Sequence, residues 1–201
     1  EPVIVLNAVL LSSKGSGTVA GQANSALGVL SHEFFHALFQ RYRATAPSWK
    51  RLAGDLSPRE QLEVIVLNEG IAHYVHREDR LQREGFPQDR AAQALAMLTA
   101  EWERLGRAEP GSAEAAESLA RANQGPYWQK FGSISGMLFA YGVARAFGVE
   151  KVREAISCGP GRLVTLYAKA TQRMDDLPQL PAGIEGWVDL CTELDLPVPQ
   201  L

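Results

Sequence analysis

Hydrophobic positions along most of the chain recur at the three- and four-residue spacing of amphipathic helices. They predict helices over about 24–44, 58–83, 88–105, 127–148, 149–156, 160–173 and 183–194. The start of the second helix is clear, because SPRE (57–60) combines an N-cap serine, a first-turn proline and a glutamate at the capping-box position. Small residues recur every fourth position from Gly132 to Ala144. This spacing predicts a central buried helix that a neighbouring helix can approach closely.

The N-terminal segment has a different pattern. EPVIVLNAVLL (1–11) is apolar and β-branched, SSKGSG follows as a turn, and TVAGQA (18–23) predicts a second strand. We therefore expect a mainly α (α+β) fold, with one domain over 1–201. A small β-sheet and the helix after it would form an N-terminal lobe over about 1–45, and a helical bundle would follow over about 46–201. The small, polar residues of 106–126 predict a mobile linker or lid with at most one short surface helix.

Composition excludes several classes of function. The net charge is −3 and the pI is about 5.9, so the sequence offers no basic surface for nucleic acid. No apolar run reaches the roughly 20 residues of a transmembrane helix. Cys158 and Cys191 are too few for a cysteine metal site and could form a disulfide or remain thiols. The sequence begins at Glu1 without an initiator methionine; the compartment stays open, with a secreted or periplasmic location favoured over the cytoplasm. Oligomeric state is not readable.

SHEFFHALF (31–39) places two histidines and a glutamate in an otherwise apolar helix. Residues four apart lie on one helical face, so His32 and His36 can bind one cation while Glu33 reaches a water on it. This is the HExxH arrangement of zinc hydrolases. Zn²⁺ lowers the pKa of its water to about 7 and polarises a carbonyl, and the glutamate carries the proton to the leaving group.

NEGIAHY (68–74), on the next helix, offers candidates for the rest of the site. A catalytic zinc takes three protein ligands and keeps one position open. Glu69 and His73 lie four residues apart on one face and could look toward the same point. Glu69 follows the apolar run VIVLN, where a carboxylate is costly to bury without a metal or a cation as partner.

Together, HEFFH and NEGIAHY resemble the gluzincin metallopeptidases, and the second segment is similar to the NEGFASY type of the aminopeptidase N-like branch. The resemblance implies a zincin-like fold, one Zn²⁺ held by His32, His36 and Glu69, and Glu33 as general base. Asn68 would shape the ligand helix, and His73 would orient a ligand histidine from behind it. The 32 residues of 37–68 exceed the usual interval between the two segments. The layout, with GMLFAYGVARAFG (136–148) after the glutamate, also resembles small bacterial zinc-dependent proteases.

A hydrolase of this kind needs a donor for the developing oxyanion. Tyr127, Tyr141 and His73 are the candidates, and the sequence does not choose among them. A peptide substrate could pair with the edge of the strand expected at 18–23.

We therefore expect a zinc-dependent metallohydrolase that cleaves peptide bonds in peptides or proteins, with no nucleic-acid partner. A zinc amidase or esterase could use the same residues, and a non-catalytic binding protein could retain the metal site. The presence of Glu33 favours catalysis, since holding a metal does not require this glutamate.

Overall fold

The computed structural model describes residues 18–184 and 186–194. Its helices are α1 (Val19–Thr45), α2 (Pro58–Glu84), α3 (Gln88–Leu105), α4 (Ala113–Asn123), α5 (Phe131–Phe147), α6 (Val149–Cys158), α7 (Pro160–Thr171) and α8 (Leu190–Glu193). Short 3-10 helices lie at Pro47–Leu52 and Tyr127–Gln129. The capping box predicted at the start of α2 is confirmed: the Ser57 hydroxyl accepts from the Glu60 amide, and the Glu60 carboxylate accepts from the Ser57 amide.

The predicted β-sheet is wrong. Residues 18–184 and 186–194 contain helices and no strand, so the observed architecture is a helical bundle. The strand expected at 18–23 is the start of α1, and the strand expected at 1–11 lies outside the described residues. Thr18 is the N-cap and accepts a hydrogen bond from the Gly21 amide. Extending an existing helix by one turn needs no new nucleus, which outweighs the weak strand preference of TVAGQA. A substrate strand therefore has no β edge to join there.

Helix α5 is the centre of the bundle. Every residue from Phe131 to Val143 is buried, and the helix packs against α2, α3, α4, α6 and α7. A helix that is apolar on all sides has to be enclosed in this way. The prediction of a central buried helix is therefore confirmed.

The closest approach in the bundle is the crossing of α2 and α5. A Cβ atom added to Gly70 would collide with the backbone of Gly136, and one added to Gly136 would collide with the backbone of Val66. The two helices can therefore meet backbone to backbone only because both positions lack side chains. This contact holds the segment of α2 that carries Glu69 and His73.

Helix α4 lies in the segment that was expected to be a linker or lid. The helix packs against α2 and α5, and both Ser118 and Ala122 are fully buried. The segment therefore contributes to the bundle, and its short helix is packed rather than superficial.

The remaining connections anchor the end of α1. In the 3-10 helix after α1, the Trp49 indole donates to the Ile156 carbonyl at 3.0 Å, at the end of α6. The structure also forms the disulfide that the sequence left open, between Cys158 of α6 and Cys191 of α8. No helix in the described part of the chain has the length and apolarity to cross a membrane.

Candidate metal centre

Two histidines of α1 lie next to each other where α1 packs against α2. His32 and His36 are one turn apart, and their Nε2 atoms lie 3.0 Å from each other. Both side chains are partly buried. The spacing of His32 and His36 on the helix therefore brings these two imidazole nitrogens close together.

Glu69 of α2 completes this cluster from across the helix pair. Its carboxylate oxygens lie 3.5 Å from His36 Nε2 and 3.9 Å from His32 Nε2. The side chain of Glu69 is only 15% exposed, so a carboxylate in this position needs a charged or polar partner. The segments 31–39 and 68–74, which carry the two sequence motifs, therefore lie in contact at this site.

The spacing of these donor atoms fits a zinc ion. Zinc binds histidine nitrogen and carboxylate oxygen at about 2.0–2.2 Å, and two such ligands at a tetrahedral angle lie roughly 3.3 Å apart. The observed separations are close to this value: 3.0 Å between the two nitrogens, 3.5 Å from His36 to one Glu69 oxygen and 3.9 Å from His32 to the other. Two imidazoles and one carboxylate are also a donor set that zinc prefers.

Asn68 supports one of the histidines. Its side-chain oxygen lies 3.0 Å from His36 Nδ1. When Nδ1 carries the proton and donates it to this oxygen, the lone pair of Nε2 is directed at the cluster.

His73 offers a further nitrogen. Its ring is 7% exposed, lies 4.7 Å from the ring of His32, and meets the ring of Tyr127 edge-on at 5.3 Å. Neither of its ring nitrogens has a hydrogen-bond partner within the described residues. His32, Glu69 and His73 can each bring one ligand atom to within 4.8 Å of the others. Two ligand sets are therefore available, which share His32 and Glu69 and differ in whether His36 or His73 is added.

The fourth histidine of the chain joins the same neighbourhood. The ring of His76 lies 6.3 Å from that of His32. Gly28 on α1 makes room for it, because a Cβ atom there would be 2.7 Å from His76 Cδ2. His76 follows His73 by three residues on α2, so its helical spacing already carried the signal for this placement.

The electrostatics of the cluster favour neutral imidazoles at His32 and His73. Burial and the neighbouring His36 lower the pKa of His32 to about 4. Burial and His32 lower the pKa of His73 to about 2. Neutral imidazole is the form that binds metals.

The pair of His36 and Glu69 behaves differently. Although burial opposes the charged form of each, the Glu69 carboxylate raises the pKa of His36, and His36 lowers the pKa of Glu69. Without a metal, each group is thus the charge partner of the other. A bound cation would take the place of the proton on His36.

The structure distributes the three predicted catalytic side chains differently. Glu33 is exposed on α1 beside the cluster, and its charge acts on His36. Tyr127 packs its ring on His73, while its hydroxyl lies 3.5 Å from Met137 Sδ. Tyr141 packs against Phe86 and lines a separate cavity. The structure thus brings Glu33 and Tyr127 near the cluster and places Tyr141 elsewhere.

Comparison with known proteins connects this site to a family. The model of the family described as "Putative zinc dependent peptidase (DUF5700)" matches residues 2–176. The chain belongs to this family. No curated protein and no solved structure matches the chain significantly.

A cavity of about 500 Å³ opens beside the cluster in this DUF5700 protein. His36, Asn68 and Glu69 contribute to its wall, together with a set of residues from the end of α1 and the segment after it: Phe39, Gln40, Arg43, Ala44, Trp49, Leu52 and Ala53. This second part of the wall was not among the site residues expected from the sequence. Its signal was the helical spacing that continues from His36 to Gln40 and Arg43.

Proposed function

We propose that this chain is a zinc-dependent peptidase in which His32, His36 and Glu69 bind one Zn²⁺ and Glu33 acts as general base. The observation that supports it best is the convergence of two histidine nitrogens from one helix and the two oxygens of one carboxylate from the next, at separations of 3.0 to 3.9 Å. Membership in a family described as zinc-dependent peptidases supports the same reading.

Each residue of the site would have a separate role in peptide hydrolysis. A bound zinc ion supplies Lewis-acid chemistry, which makes a water molecule nucleophilic and polarises the substrate carbonyl. The Glu33 carboxylate accepts a proton from the attacking water and delivers it to the leaving amine. Asn68 holds His36 in the tautomer that leaves Nε2 free to bind. Tyr127 and His73 remain the candidate donors to the oxyanion, and the placement of Tyr141 in another cavity argues against it.

The size of the cavity beside the cluster favours a peptide over a small ester. Its volume of about 500 Å³ exceeds what one acyl group needs. An amidase or esterase with the same residues remains the second reaction class. A peptide library and a panel of small amides and esters distinguish the two.

The position of His73 favours one alternative from another class. If His73 binds together with His32, His36 and Glu69, four protein ligands surround the ion. Such a closed site is typical of structural zinc, whereas catalytic sites keep one position open. The chain would then be a non-catalytic protein that holds a metal.

Metal content and turnover test the proposal together. The wild type should contain about one zinc per chain, His36→Ala and Glu69→Ala should lose it, and Glu33→Gln should keep it but lose peptide cleavage. Glu84→Gln, at the exposed end of α2, is the control for loss of a carboxylate. Full zinc occupancy in Glu69→Ala would refute the ligand set, and unchanged turnover in Glu33→Gln would refute the mechanism.

His73→Ala decides between the open and the closed site. We expect this variant to keep zinc, and X-ray absorption of the wild type to show two histidine ligands. Three histidine ligands, with zinc weakened in His73→Ala, would instead support the structural site.

We also propose that the protein works outside the cytoplasm. The disulfide between Cys158 and Cys191 supports this, because such bonds persist in oxidising compartments. Both cysteines are buried, so protein isolated from its native compartment is denatured first, and it should then not react with iodoacetamide until it is reduced. Two reactive thiols in that material would contradict the proposal.

A further inference from the structure

Arg43 lies on the same face of α1 as the metal cluster. His36, Gln40 and Arg43 are spaced at i, i+4 and i+7, and all three line the cavity. Seven residues of helix correspond to about 10.5 Å along the axis. An extended peptide advances about 3.5 Å per residue, so roughly three residues would cover this distance, and fewer when the arginine side chain reaches back.

The guanidinium of Arg43 is held in place without a counter-ion. Its Nη2 donates to the Leu52 carbonyl at 3.3 Å, and its central carbon lies 4.9 Å from the Trp49 ring and 5.7 Å from the Phe39 ring. No carboxylate among residues 18–184 and 186–194 forms an ion pair with it. Partial burial lowers the pKa of Arg43 below its ordinary value. The side chain is thus oriented and partly desolvated, but its charge is not neutralised.

Such a group is prepared for an anion. A guanidinium has five N–H donors in a planar fork that matches a carboxylate, and Arg43 uses one of them in the hydrogen bond described above. Among the described residues that line the cavity, Arg43 is the charged side chain outside the metal cluster, to which His36 and Glu69 belong. Since Glu69 belongs to the metal cluster, Arg43 determines the charge at the far part of the cavity. Trp49 and Leu52, each 1% exposed, line the cavity beside Arg43 with apolar side chains. An apolar surrounding lowers the local dielectric constant and strengthens a charge-assisted hydrogen bond.

We propose that Arg43 binds a carboxylate of the peptide substrate, supplied by a free C-terminus or by an acidic side chain within about three residues of the cleaved bond. The inference rests on the proposed peptidase function and adds the substrate class. A C-terminal carboxylate would make the protein a carboxypeptidase. An acidic side chain would make it an endopeptidase with acidic specificity.

Binding to an inactive protein tests the anchor separately from catalysis. Zinc-loaded Glu33→Gln protein is titrated by calorimetry with three probes: N-acetyl-trialanine with a free carboxylate, the same peptide as C-terminal amide, and that amide with an aspartate as its last residue. We expect the free acid, the aspartyl amide or both to bind roughly 10- to 100-fold more tightly than the neutral amide. The one that binds identifies the source of the carboxylate.

Variants assign this preference to Arg43. Arg43→Gln should abolish the difference between charged and neutral probes, and Arg43→Lys should retain part of it, because lysine keeps the charge but loses the fork. Arg41→Gln is the matched control, since Arg41 is exposed on the same helix and does not line the cavity. A purely structural role of Arg43 would weaken all three probes equally.

The outcomes separate the anchor from the peptidase. If the Glu33→Gln protein, which retains Arg43, binds all three probes with equal affinity, the proposed carboxylate site at Arg43 is overturned. This holds even if Arg43→Gln fails to fold. An unchanged preference in folded Arg43→Gln overturns it as well. Carboxylate binding could depend on Arg43 while the wild-type protein, which has Glu33, cleaves no peptide in a library. In that case the proposed peptidase function fails and the anion site at Arg43 stands.

Discussion

The Nδ1 atom of His36 lies 3.0 Å from the side-chain oxygen of Asn68, across the interface between α1 and α2. The two residues are 32 positions apart in sequence, and this contact joins the two motif segments without any metal. When Nδ1 donates to this oxygen, Nε2 points toward Glu69 and His32. Removal of this contact should therefore affect metal affinity.

Asn68→Ala should weaken zinc binding roughly 10- to 100-fold, because His36 loses the acceptor that fixes its tautomer and ring orientation. Competition with a chelating dye measures this affinity. Asn68→Asp keeps an acceptor oxygen at the same position and should bind zinc much more tightly than the alanine variant. Equal affinities in the wild type and Asn68→Ala would show that this contact does not orient the ligand.

Gly70→Ala should destabilise the fold. The added methyl group would collide with the backbone of Gly136 where α2 crosses α5. Overpacking of a tight core contact costs about 1–3 kcal/mol and sometimes more. Urea denaturation measures the change. Gly54→Ala is the control, because a Cβ atom there meets nothing within 4 Å; a loss of equal size in the control would mean that the crossing is not the cause.

Loss of the disulfide should lower stability. The bond between Cys158 and Cys191 closes a loop with a sequence separation of 33, and the entropy removed from the unfolded chain corresponds to about 3–4 kcal/mol. Thermal unfolding with and without a phosphine reductant tests this. A variant with alanine at both positions should unfold at a lower temperature and should not respond to the reductant. A wild type that is equally indifferent to reductant would contradict the prediction.

The contribution of Glu63 to stability should fall as pH rises from about 4.5 to about 8, whereas His32 and His73, whose pKa values are lowered, contribute with the opposite sign below about 6.5. Burial raises the pKa of this glutamate from 4.5 to about 8, although its carboxylate accepts a hydrogen bond from the Val188 amide at 2.8 Å. Within this window the folded protein keeps a proton that the unfolded chain releases. The free energy of unfolding therefore decreases by up to about 1.4 kcal/mol per pH unit from this group.

Glu63→Gln isolates this contribution. The variant keeps an acceptor for the Val188 amide and cannot ionise, so its free energy of unfolding should increase relative to that of the wild type as pH rises from 5 to 8. Denaturant titrations at pH 5 and pH 8 give the comparison, with the exposed Glu103→Gln as control. If wild type and Glu63→Gln show the same pH dependence, the burial of Glu63 does not influence stability in this range.

Local signals in the sequence were reliable where the structure depends on neighbouring residues. The capping box at Ser57 and Glu60 and the small residues of α5 led to the correct helices, since caps and helical spacing act within one or two turns. The strand expected at 18–23 failed for a related reason. Its β-branched residues have only a weak preference for strand, and α1 begins at the N-cap Thr18, so that this segment forms the first turns of the helix.

The sequence by itself determined which side chains the candidate metal centre could use. The spacing of His32 and His36 requires two imidazoles on one face of a helix, and Glu69 with His73 repeats this on the next. Only the tertiary structure decided that these two helical faces meet. It also buried His73 beside His32, without a hydrogen-bond partner among the described residues. Finally, it placed Arg43 in the cavity that His36 and Glu69 line, without a carboxylate partner among the described residues. The physical reason is range. Helical spacing follows from backbone geometry within a few residues, whereas distances between helices depend on packing, here on the contact of Gly70 with Gly136 that determines how closely α2 approaches the centre of the bundle.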